Sequence, residues 1–205
     1  MTIVFVACAL FLTSAGRAAQ TDELTQLVNG YLAESEARDP LFSDRIGIHT
    51  YDDRLPDLSP TAQRATYQWE TQWRARFAAL SAQSLSLGEQ ADQRAILDGI
   101  DADLLESTAI RQYATDPSIY TGAIGDAVYQ LTSRNYAPLD ARVRAVATRI
   151  KYIPDIVRAA EASLTHPPRV AAELAVQQNQ GNIDLYEHDL PALAKTTSKE
   201  TQAIL

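Results

Sequence analysis

The sequence predicts an all-α protein, a multi-helix array of six to seven amphipathic helices with one long irregular loop near residues 39–60. Two observations carry this expectation. Apolar residues recur at three- and four-residue steps through most of the chain, the period of a helix that buries one stripe. No strand-like alternation of useful length occurs, and no internal repeat is found. A third observation sharpens it: proline stands where the apolar pattern starts or stops, at Pro40, Pro60, Pro138 and Pro167-Pro168. With 46% apolar residues over 205 positions, the chain can bury the core of one domain.

Residues 3–12 form an apolar run of ten, followed by the small residues of Thr-Ser-Ala-Gly-Arg-Ala-Ala. This reads as an export signal over 1–19, cut after Ala18 or Ala19, and too short to span a bilayer as a lone helix. Met1-Thr2 supplies no positive charge, which leaves two alternatives: a true start a few codons away, or a buried helix. Export places the helical domain, 20–205, in the periplasm with no membrane association after cleavage. The single cysteine, Cys8, falls inside the signal. The mature chain then has no disulfide, no thiolate metal ligand and no cysteine nucleophile.

From Thr21, the spacing of Leu24, Leu27, Val28, Tyr31 and Leu32 predicts a helix that Asp39-Pro40 stops. Ser59-Pro60 restarts the pattern, with Ser as cap and Pro in the first turn. Trp69, Trp73, Phe77 and Leu80 then make a ladder along one face, read as core rather than as the lining of a ligand groove. Gly88 separates that helix from the next, which Ile96, Leu97, Ile100 and Leu104 mark. The acids crowding it (Asp92, Asp98, Asp101, Asp103 and Glu106) read as surface, since two-metal helical bundles pair Glu with His on several helices.

Residues 113–121 read as a loop broken at Asp116-Pro117, and 120–135 as containing a short helix. A further helix starts near Pro138, with Val143, Val146, Ile150 and Ile153 facing inward and Arg142, Arg144 and Arg149 outward. Pro154 ends or kinks it. Ile156, Val157 and Leu164 continue an apolar face to the break at His166-Pro167-Pro168. A last long helix begins near Arg169 and carries Gly181, at a cost of about 1 kcal/mol relative to Ala. Leu190-Pro191-Ala192-Leu193 is expected to face inward, and Lys195–Leu205 has the composition of a helix just beginning. The ending on Ala-Ile-Leu reads as an interrupted protein, with a docked C-terminal helix as the other reading.

A net charge of -8 and a pI near 4.8 argue against an electrostatic nucleic-acid binder, which would present clustered Lys and Arg. The charged residues are spread along the chain, the pattern of a solvated acidic surface. Chemistry-bearing groups concentrate instead in residues 46–60. There His49, Tyr51, Asp52, Asp53 and Arg54 are the ligand-binding candidates, with Asp57 close by. Asp52 and Asp53 offer a carboxylate pair and Arg54 a clamp for a substrate carboxylate. The plainer reading is a loop whose Asp and Arg side chains satisfy neighbouring backbone. His49 has no second metal ligand at close spacing, and no catalytic or metal-ligating set is assigned.

The run from Gly47 to Pro60, Gly-Ile-His-Thr-Tyr-Asp-Asp-Arg-Leu-Pro-Asp-Leu-Ser-Pro, resembles the N-terminal signature of the bacterial domain of unknown function 885 family. Tyr129–Arg149, His166–Val170 and Asp189–Leu193 carry further resemblance, in the same order. The resemblance implies a mostly helical, often exported, zincin-like metallopeptidase lineage, typically more than twice this length. It also implies a zinc motif, a His-Glu pair followed by Pro-Gly-His-His, downstream of the region matched. His49, His166 and His188 are followed by Thr, Pro and Asp, so that motif transfers to no position here. Zinc is therefore expected only in a full-length parent, with peptide as its substrate, and no cofactor in this chain.

Three function classes follow: an N-terminal scaffold or substrate-channel part of such a parent, not catalytic alone; a complete non-catalytic periplasmic binding module; or a hydrolase using Asp52 and Asp53. The third is disfavoured, because adjacent loop carboxylates usually diverge.

Overall fold

The computed structural model describes residues 23–204, so the expected signal and Cys8 lie outside the described residues. Regular structure among the described residues is helical throughout. In chain order it comprises α1 (23–38), α2 (Pro40–Ile46), α3 (Pro60–Ala79), α4 (Leu87–Leu105), α5 (Gln112–Thr115) and α6 (Ser118–Thr132). There follow α7 (Leu139–Ile150), α8 (Ile153–Ser163), α9 (Arg169–Asp184), α10 (Leu190–Ala194) and α11 (Lys199–Gln202). Single π-helical turns extend α4 over Glu106–Ile110 and α9 over Leu185–Asp189. None of these helices is long and apolar enough to cross a membrane.

The helical domain is organised as two compact units. Among the described residues, one holds 23–34 together with Thr66–Thr108; the other holds Ser35–Ala65 and 109–204. In the first, the aromatic ladder is core as expected. Trp73, Phe77, Leu80, Leu85, Ile100 and Leu24 are buried together, with Ile96, Leu97 and Leu104 packed against them. Tyr31 of α1 stacks on Trp69 at 5.2 Å between centroids and meets Trp73 and Phe77 edge-on. Buried Gln93 donates to the carbonyls of Phe77 and Leu80, pairing acceptors that the end of α3 leaves open. Gly88 does not separate helices. Ser86 caps α4 through a reciprocal box with Glu89, so Gly88 lies inside the first turn.

The second unit is built around α6, which contacts α2, α7, α8 and α9. Leu41, Tyr120, Ala123, Ile156 and Ala159 form one cluster; Val128, Leu131, Val146 and Leu190 form another. The helix expected as short within 120–135 runs fifteen residues. One helical turn, α5, also occupies part of the expected loop at 113–121. Pro154 opens α8 instead of ending α7, because a proline in the first turn gives up only a donor that has no partner there. His166, at φ 55°, makes the break before Pro167. In the Leu190–Leu193 segment Leu190 is buried, Leu193 half-buried, and Pro191 and Ala192 exposed.

The irregular stretch begins later than expected. Asp39 does not only stop α1; its carboxylate also accepts from the amides of Leu41 and Phe42, both at 3.0 Å, and starts α2 with Pro40 at the first position. Gly47, at φ 85°, closes α2 in the left-handed conformation that glycine adopts without strain. The irregular segment is therefore 47–59. Ser59 caps α3 as expected, accepting from Ala62 N at 3.2 Å.

Candidate functional site

Three segments of the second unit converge on the 47–59 loop. Asp44 comes from α2, His49 and Asp52 from the loop, Tyr136 from the α6–α7 turn and Arg149 from α7. His49 Nδ1 lies 3.0 Å from Asp52 Oδ1, and the Tyr136 hydroxyl donates to Asp52 Oδ2. The Tyr136 ring lies flat on the imidazole, 3.4 Å between centroids at an interplanar angle of 1°. Asp52 is thus held through both oxygens, and His49 is oriented at its Nδ1 edge and on one ring face.

Asp44 and Arg149 form the floor. Arg149 Nη1 stands 2.7 Å from Asp44 Oδ2, with side-chain exposures of 0% and 1%. The contact is one of charge, because neither carboxylate oxygen receives an aligned hydrogen bond, nor does Arg149 Nε or Nη1 give one. Withdrawing two such ions from water costs several kcal/mol each, which their attraction offsets only with good geometry. Burial pushes the Asp44 carboxyl above its ordinary value; Arg149 opposes that shift, and neighbouring Asp52 adds to it. Arg149 Nη2 also reaches the Tyr51 carbonyl at 3.5 Å. Burial likewise raises the Tyr136 hydroxyl, reinforced by its bond to Asp52, so the phenol stays a neutral donor.

Buried Arg142 braces the turn that carries Tyr136. It donates to the carbonyls of Ala137 (2.9 Å) and Leu131 (3.0 Å) and to Asn135 Oδ1 (3.0 Å). Arg142 and Arg149 therefore face inward, against the expectation; of the three arginines only Arg144 is exposed. The physical reason is that each finds acceptors or a counter-charge inside: helix-end carbonyls for Arg142, Asp44 for Arg149.

Of the five candidates read from the sequence, His49, Asp52 and the Tyr51 backbone join this cluster. Asp53 and Arg54 do not: they sit 3.8 Å apart, more than half exposed, with Arg54 over the Tyr51 ring. Asp52 and Asp53 diverge as adjacent loop acids do. The sequence reading missed Asp44, Tyr136 and Arg149, and His49 is not without nearby ligand groups: donor atoms of Asp44, His49 and Asp52 all lie within 4.8 Å of one another. One imidazole and two carboxylates are a donor set that suits a divalent cation.

Two clefts adjoin the same unit. Leu55–Pro60 and α8 enclose about 590 Å³, and an apolar cleft of about 620 Å³ lies between α6, α8 and α9.

A family model for bacterial proteins of unknown function, DUF885, matches residues 40–204. The chain belongs to the DUF885 family. Among solved structures it is similar to a protein from Shewanella oneidensis described as a lipoprotein of unknown function. The TM-score is 0.79 with 25% sequence identity, and the match covers 88% of this chain. It covers 33% of the other, so this DUF885 chain spans about one third of that relative's length. None of the curated proteins matches the chain.

Proposed function

We propose that this chain is the N-terminal helical scaffold of an exported, metallopeptidase-like DUF885 protein. It forms one wall of a substrate channel, and hydrolysis takes place elsewhere in the parent. The observation that carries this reading is the proportion of the match: 88% of this chain superposes on about a third of a longer relative. The site chemistry supports it. The Tyr136–Asp52 bond and the reach of Arg149 to the Tyr51 carbonyl tie the 47–59 loop to the α6–α7 turn and to α7, as a channel wall requires. The 620 Å³ apolar cleft supplies surface for an extended peptide or for the remainder of the parent. Export is supported by the apolar run at 3–12 and by the lipoprotein description of the Shewanella relative.

The 590 Å³ cleft beside Leu55–Pro60 favours a second reading, a self-sufficient periplasmic binding module. One experiment separates the two. The purified chain, supplied with Zn²⁺, is incubated with a peptide library alone and together with the remaining part of a full-length DUF885 protein. The scaffold reading expects no turnover alone and a stable complex of the two parts. Turnover by the chain alone overturns it, and a chain that ignores the added part favours the binding module.

A further inference from the structure

We propose that Asp44, His49 and Asp52 form a binding site for a divalent transition cation, with Zn²⁺ the ion that best matches one imidazole and two carboxylates. One donor atom from each residue lies within 4.8 Å of the other two. Asp44 makes this more than a group of surface acids. Its side chain is 1% exposed, and neither oxygen has a hydrogen-bond partner among the described residues. Arg149 faces Oδ2, which leaves Oδ1 for a cation. A buried carboxylate oxygen without a donor is unfavourable, and coordination removes that deficit.

The other two ligands are already supported from outside. Tyr136 donates to Asp52 Oδ2 and holds the His49 ring by stacking, the kind of outer contact that orients metal-bound side chains. Two carboxylates against one guanidinium leave the place attractive to positive charge. A cation entering between His49 Nδ1 and Asp52 Oδ1, now 3.0 Å apart, replaces the proton they share. Three side chains leave one position of a tetrahedron for water. The bound ion would clasp the loop to α2. This inference goes beyond the scaffold reading: it concerns binding by this chain, read out without any peptidase assay.

The test uses the full, untagged chain, stripped by chelator and titrated with ZnCl₂ by calorimetry, with Ca²⁺ and Mg²⁺ as oxygen-preferring controls. One Zn²⁺ per chain is expected, together with a raised melting temperature. His49→Gln and Asp52→Asn, checked for folding by circular dichroism, are expected to lose about tenfold or more in affinity. His166→Gln and His188→Gln should match the parent chain. Independently of any variant, Zn²⁺ should protect His49 from diethyl pyrocarbonate while leaving His166 and His188 reactive. No Zn²⁺ binding by the folded chain, affinity undiminished in His49→Gln, or no selective protection of His49 overturns the proposal.

Discussion

Arg149 Nη1 and Asp44 Oδ2 meet at 2.7 Å with both side chains sealed from solvent. Removing one partner leaves a buried charge alone, and that is where the large penalty lies. Arg149→Met should lower the stability of the chain by about 3–5 kcal/mol, measured by urea unfolding. Replacing both, Arg149→Met with Asp44→Val, removes the two desolvation costs together. The double variant should be more stable than Arg149→Met alone. Additive losses would mean that the two side chains are not energetically paired.

The Tyr136 hydroxyl bridges the α6–α7 turn to the loop through Asp52. Tyr136→Phe keeps the ring stacked on His49 and deletes only the donor. A hydrogen bond to a charged acceptor contributes about 1.5–3 kcal/mol, so a loss in that range is expected. Amide exchange should quicken in Gly47–Asp53 more than in α9. Unchanged exchange in the loop would mean that Asp52 is held by His49 alone.

What the sequence made legible was periodicity. The ladder of Trp69, Trp73 and Phe77 announced its buried face because aromatic residues at helical spacing have few alternatives. Buried charge was illegible by the same rule, since a count of apolar residues sends every arginine outward. Yet Arg142, Val146 and Arg149 follow a 0, 4, 7 spacing, which puts both arginines on the apolar stripe of α7. That signal could have been used. Asp44 offered no such cue, because its burial depends on α2, a seven-residue helix inside a stretch read as loop. The five-residue candidate set likewise mixed groups that fold inward, His49 and Asp52, with groups left in solvent, Asp53 and Arg54. Sequence proximity cannot separate them; the turn at Tyr51–Arg54 does, with Arg54 N donating to the Tyr51 carbonyl at 3.0 Å.

Two glycines of α6 should respond to alanine with opposite signs. A Cβ on Gly125 would lie 2.6 Å from Asn182 Oδ1 of α9, whose Nδ2 donates to the Thr121 carbonyl at 2.8 Å. Gly125→Ala pushes that side chain aside and loses its bond, for a destabilisation of about 1–3 kcal/mol. Gly122 has nothing within 4 Å of the same position. Gly122→Ala should stabilise by about 0.4–1 kcal/mol through the unfolded chain. Thermal melts of the two single variants check this, and a shift of the same sign in both would contradict the α6–α9 contact.

Asp140 provides a pH signature for the attachment of α11 to α7. Its Oδ1 accepts from the Ser198 amide at 2.9 Å, from the Thr201 hydroxyl at 2.7 Å and from the Ser198 hydroxyl. These donors, the Ser198 hydroxyl foremost, hold the carboxyl down at about 2. In the unfolded chain it titrates near the usual carboxylate value of about 3.9. The folded form therefore binds a proton less readily, and the ionised carboxylate favours the native state. That contribution is fully present above about pH 4 and is lost as pH falls towards about 2. Asp140→Asn should be less stable than the parent chain at pH 6, with the gap closing as acid approaches pH 2. Urea midpoints of the two proteins across that range give the measurement. A gap that stays constant down to pH 2 would show that the hydrogen bonds to Ser198 and Thr201 do not depend on the charge.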